Sequence, residues 1–162
     1  MKQVLLPILG TVAFIIVVGL LTKGSLFPKS PTPTQTPGRQ VTIGATTIPV
    51  EIADTDAKRS LGLGKRTSLD KDSGMLFIFP QKDVTRNFWM KDMNFAIDII
   101  WINDGKIVRI DKNVPPQPGV ADSALKSYSS GTPVDYVLEV NAGFSEKGGI
   151  NIGSGVDLSK AL

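Results

Sequence analysis

The stretch that most constrains the fold is Phe88 to Ile110, FWMKDMNFAIDIIWINDGKIVRI. Phe95 to Ile102 is an apolar run rich in β-branched residues, Asn103-Asp104-Gly105 is a turn, and Ile107 to Ile110 is a second apolar run. Two such runs around Asp-Gly predict a β-hairpin, because that dipeptide accepts the positive φ angles that match strand twist. One carboxylate, Asp98, lies inside the first strand, flanked by Ile97, Ile99 and Ile100. A charge there is costly unless it is paired or hydrogen-bonded, so Asp98 needs partners. It shares a strand face with Ala96, Ile100 and Ile102, and Arg66, Arg86 and Lys91 are candidates. An ion pair or a set of backbone hydrogen bonds would fix register without doing chemistry. The functional alternative is a polar anchor at the floor of a ligand groove.

The rest of the chain supplies more short strands. Val41 to Ile52 reads as two strands around Gly44-Ala45, with Pro49 marking an edge position. Asp54-Thr55 can cap a helix over Asp56 to Leu63, which Gly62 and Gly64 end and Lys65-Arg66 follow. Gly74 to Pro80 is a buried strand closed by proline. Arg86 to Lys91 alternates, so that Phe88 and Met90 share one face while Trp89 and Lys91 share the other. Val114 to Pro133 is a loop rich in Pro, Gly and Ser, of a length that is usually functional or mobile. Asp135 to Val140 is a further strand that sets Glu139 on a face with Val137 and Asn141. Asn141 to Phe144 reads as a turn, and a last strand pair falls around Gly153 to Val156. Short strands, one short helix and glycine-rich turns predict a mainly β domain over residues 41–162, a compact β-sandwich or barrel.

Ahead of it, Val4 to Leu21 is uncharged and mostly apolar, near the lower limit of what spans a bilayer as a helix. The run is longer than a signal-peptide core, and Leu21 to Ser25 makes a poor cleavage site. Residues 1–22 are therefore expected to form an uncleaved signal-anchor helix that meets the membrane through residues 4–21. In Lys23 to Gln40, Pro28, Pro31, Pro33 and Pro37 alternate with Ser and Thr, which predicts an extended spacer. The expected location is a cytoplasmic membrane crossed once, with the β domain outside the cytoplasm.

Composition narrows the chemistry. The 162 residues include no cysteine and no histidine, which removes thiolate and imidazole ligands, cysteine nucleophiles and every Ser-His-Asp arrangement. The formal charge is +3, yet Lys2, Lys23, Lys29 and Arg39 precede Val41. That leaves 14 of the 18 basic residues in the domain against all 15 acidic ones, so a phosphate-binding face, and with it nucleic acid, is not expected. Asp70-Lys71-Asp72 lacks the spaced oxygens and terminal Glu of a calcium loop. Neither metal nor cofactor is expected.

A set of residues carries a family likeness: Gly62-Leu63, Arg66, Gly74-Met75-Leu76-Phe77, Phe88-Trp89-Met90-Lys91, Asp98, Val137-Leu138-Glu139-Val140, Gly143 and Gly153. In this order they resemble the domain of unknown function 192, over Val41 to Val156. The resemblance implies a small β-sandwich-like domain, often behind a signal peptide or anchor, with no established activity. Asp92 stands where that family usually has Asn, and Ala96 where it usually has Pro.

The ligand-binding candidates are Arg66, Trp89, Lys91, Asp98, Tyr128 and Glu139, with Tyr128 brought over Trp89 and Lys91 by the long loop. An aromatic surface with a few polar groups in a cleft suits sugars or peptides. The expected function is a membrane-tethered, extracytoplasmic, non-enzymatic domain that binds an envelope polymer or protein partner. One alternative is a hydrolase of envelope glycans using Asp98 and Glu139 as its carboxylate pair. Another is a scaffold of a membrane complex.

Overall fold

The structure, a computed structural model, describes residues 38–162. The expected anchor and the spacer up to residue 37 lie outside the described residues. No helix among the described residues is long and apolar enough to cross a membrane.

Strand β1 (Gln40–Ile43) turns through Gly44-Ala45 into β2 (Thr46–Ala53). Helix α1 (Asp56–Leu61) follows, with the Thr55 hydroxyl accepting from the Lys58 N–H at its start and Gly62, at φ 51°, ending it. The sheet continues with β3 (Gly74–Ile78), β5 (Ile97–Asn103), β6 (Lys106–Val114), β8 (Tyr136–Asn141) and β9 (Val156–Asp157). Outside it, β4 (Asn87–Trp89) pairs with β7 (Ser127–Ser129).

The seven strands run in the order β6-β5-β8-β3-β2-β1-β9. All pairs are antiparallel except β2–β3, which α1 connects as a parallel crossover. Residues 153–156 then meet the far edge. Ile107 N donates to Ser154 O at 3.0 Å, and the N–H groups of Gly153 and Val156 reach Ile107 O and Gly105 O at 2.8 Å. Both edges of the sheet are thereby occupied and it curls into a barrel.

The predicted hairpin forms as β5–β6, with Asp104 and Gly105 at φ 47° and 66°. Pro49 does not sit on an edge strand, because β2 is interior to the sheet. It is tolerated since the β2–β3 ladder starts one residue later, at Val50↔Gly74, so no ladder partner is denied an N–H.

Strand alternation separates two apolar clusters. Ile100 and Ile102 of β5 and Leu138 and Val140 of β8 point into the barrel with Val41, Ile48 and Leu76. Ile97, Ile99 and Trp101 point outward and pack with Met75, Phe77 and Val137. The segments after α1, around β4 and around β7 cover that outer face, which is why β5 reads as a continuous apolar run instead of an alternating one. Each large side chain buried in this way contributes about 1.5–3 kcal/mol.

Asp98 closes one end of the barrel. It is fully buried, and no cation among the described residues reaches it; Arg66, Arg86 and Lys91 all bond elsewhere. Its Oδ1 accepts from Asn113 N at 2.8 Å and Gly143 N at 3.1 Å, and its Oδ2 accepts from Ser145 N at 3.0 Å. The first of these explains a β-bulge. Ile97 pairs with Val114 and Ile99 with Asp111, so two residues of β6 face one of β5, and the carboxylate takes the N–H left over. The other two bonds cap helix α2 (Phe144–Lys147).

The expectation of one short helix is corrected by α2 and by a 3-10 turn at Asp122–Ala124. Four residues bounded by Gly143 and by Gly148-Gly149 carry too little periodicity to announce a helix. The fold is a mainly β barrel with a few short helices.

Asp98→Ala would strand three N–H groups, that of Ser145 fully buried and those of Asn113 and Gly143 partly so. We expect a loss of about 3 kcal/mol or more, measured as a lower denaturant midpoint; a loss under about 1 kcal/mol would contradict the anchoring role.

Candidate functional site

Beside α1, the outer face of the sheet opens into a cavity of about 340 Å³, at the small end of the range for ligand sites. Its walls come from Arg59 and Leu61 of α1, Phe77 and Phe79 at the end of β3, and Phe88 and Trp89 of β4. Alternation along β4 decides which ring goes where. Phe88 turns inward and meets Phe77 edge-on at 4.9 Å, Trp101 at 5.4 Å and Phe79 at 6.4 Å between centroids, favourable T-shaped arrangements. Trp89 therefore turns outward and is 53% exposed at the mouth. Gly64 lets the segments close up, since a Cβ there would lie 2.9 Å from Leu61 O and 3.2 Å from Lys91 O.

Glu139 lies at the floor. Its neighbours across the ladder are Met75 on β3 and Ile99 on β5, both apolar. The residue is 6% exposed, and no described protein group bonds its carboxyl, so burial alone pushes its pKa up to about 8. At neutral pH it is mostly an uncharged acid. The cations at the rim are committed elsewhere. Arg59 donates to Ile78 O at 2.7 Å and to Asp56 Oδ1 at 2.5 Å. Lys91 is paired with Asp122, which raises its pKa, and its Nζ lies 5.9 Å from the Trp89 ring centre. Among the described residues no group of three or more acidic side chains could hold a metal ion.

Residues 39–158 match the model of the family DUF192, described as an uncharacterized ACR. The chain belongs to the DUF192 family. No curated protein matches it. Two crystal structures resemble this DUF192 barrel. One is a protein of unknown function from Novosphingobium aromaticivorans, 29% identical, covering 73% of this chain and 83% of its own, with a TM-score of 0.64. The other, from Sinorhizobium meliloti, is provisionally assigned as a transcription regulator; it is 30% identical, covers 75% of this chain and 94% of its own, and has a TM-score of 0.66.

Of the six candidate residues, the DUF192 fold brings Trp89, Lys91 and Glu139 together around the cavity. The other three lie elsewhere. Arg66 forms a two-pronged salt bridge with Glu51, beside Arg39 and Ser68 in a separate cleft. Asp98 spends its oxygens on backbone N–H groups inside the barrel. Tyr128 pairs with Phe88 across β4–β7 and is 8% exposed, so it packs into the outer cluster instead of lying over Trp89.

The carboxylate pair proposed for glycoside hydrolysis is corrected as well. Asp98 stands opposite Val140 and Glu139 opposite Ile99, so the two side chains leave opposite faces of the sheet and cannot flank one bond. Phe77, Phe79, Phe88 and Arg59, which line the cavity, read in sequence as core strand or helix surface. Their aromatic density was visible; their convergence was not.

The sign of Glu139's contribution to stability follows from its raised pKa. Between pH 4.5 and about 8 the unfolded chain has released this proton while the folded chain keeps it, so stability falls as pH rises. Glu139→Gln removes the penalty. We expect its stability advantage over the parent to grow across that window, by up to about 5 kcal/mol, in urea unfolding from pH 4 to 9. An advantage independent of pH would contradict a buried, lone carboxyl.

Proposed function

We propose that this DUF192 domain is a binding module, tethered outside the cytoplasm through residues 4–21, which recognises an envelope polymer or protein partner. It does so by taking one group of that partner into the cavity beside Trp89. The observation that carries the reading is Glu139. A buried carboxyl with no protein partner costs stability, and such costs are typically kept where a ligand meets the group. The half-exposed Trp89 at the mouth supplies a flat apolar surface for the part of the ligand that stays outside, and Lys91 a donor beside it. A binding role is favoured over hydrolysis by Asp98 and Glu139 because those two carboxyls leave opposite faces of the sheet, and the other acid in the lining, Asp56, is solvent-exposed and paired with Arg59.

The test is thermal unfolding of the 162-residue chain against cell-wall fragments, saccharides and peptides. A ligand of the native state present at a hundredfold its Kd stabilises by about 2.7 kcal/mol, a shift of several degrees. We expect at least one such shift, lost in Trp89→Ala. No shift across the panel would leave the scaffold reading in its place.

A further inference from the structure

We propose that the group entering this cavity is an alkylammonium, such as a lysine-like amine on an envelope polymer or peptide, which forms a salt bridge with Glu139. The inference rests on the binding role above and names the ligand's chemistry.

Among the described residues, the one buried charged side chain in the lining is Glu139. Phe77 and Phe88, packed edge to face, and Phe79 and Trp89 make the lining aromatic, and Met93 adds a polarizable sulfur. Glu139 is the acid at the floor, and Met75 and Ile99 beside it offer nothing that could neutralise it. The charged groups facing the space are Asp56, Arg59 and Lys91 in addition to Glu139. Arg59 and Lys91 are tied to Asp56 and Asp122, so neither spends its charge on the floor.

Three ligand chemistries can be weighed against this lining. An anion would meet Glu139, while Arg59 and Lys91 are already paired with Asp56 and Asp122. A sugar edge would bring several hydroxyls, and each one that Glu139, Ser60 or Asn87 does not pair costs about 1–3 kcal/mol. An ammonium needs one carboxylate, and its aliphatic arm suits the aromatic part of the walls, Phe77, Phe79 and Phe88. The acid releases its proton to solvent as the ammonium enters, so carboxylic acid and ammonium become an ion pair plus one free proton. Because Glu139 is 6% exposed, the pair's attraction is larger than at a fully exposed surface.

The experiment is calorimetric titration of the 162-residue chain with n-pentylamine, its neutral analogue n-pentanol, and an N-acetylglucosamine oligomer. Pentylamine should bind at least tenfold more tightly than pentanol. Its affinity should rise about tenfold per pH unit from pH 6 until Glu139 is ionised at about 8, with one proton released. Glu139→Gln should abolish the preference, and since glutamine fills the same space, native unfolding behaviour confirms that the variant is folded. Equal binding of amine and alcohol, or amine binding unchanged by Glu139→Gln, overturns the inference. If the oligomer alone binds, and binding needs Trp89, the ammonium inference fails while the binding role stands. If no probe binds and the wider panel gives no shift, both fail.

Discussion

Three hydrogen bonds to one buried carboxylate hold the rest of this barrel in place. Asp98 joins the middle of the chain to the bulged end of β6 and to the start of α2. That link sets the register of β5, and a slip of one residue would exchange its two faces. With register set, Trp101 must point outward, Phe88 packs against it, and the residue after Phe88 must face the other way. The position of Trp89 at the cavity mouth thus depends on an acid that never approaches the cavity.

Asp98 and Glu139 show how environment separates two similar groups on neighbouring strands. Asp98 is surrounded by backbone donors, and its burial is offset by charge-assisted hydrogen bonds. Glu139 has Met75 and Ile99 as its cross-strand neighbours and no donor among the described residues, so burial raises its pKa to about 8 and leaves it with unspent hydrogen-bonding capacity. The first arrangement makes structure. The second costs stability, and local violations of this kind tend to mark where a protein meets something else.

Several elements were legible from residue order because their signals are local. The Asp104-Gly105 turn, the Thr55 cap of α1, and the opposite faces of Phe88 and Trp89 each depend on a few neighbouring residues. The motif shared with DUF192 was legible for the same reason, being spread along the chain in fixed order. Pro49 was misplaced because edge and interior depend on which strand arrives alongside, here β3 from beyond α1. The segment from Val114 to Pro133 read as a plain loop because β7 is only three residues long and is held by β4, a partner about forty positions earlier. Tyr128 was accordingly placed over Trp89, whereas pairing with Phe88 turned it into the core.

By itself the sequence determined the class of the domain, its β-hairpin, the local alternation of its strands, and the need for Asp98 to find partners. Those follow from backbone preferences and from the cost of burying charge, which act over a few residues. Tertiary structure decided what the partners of Asp98 were, that Asp98 and Glu139 face apart, and that Trp89, Lys91 and Glu139 share a cavity. Each of these depends on contacts between segments far apart in the chain, whose geometry exists only once the sheet has closed.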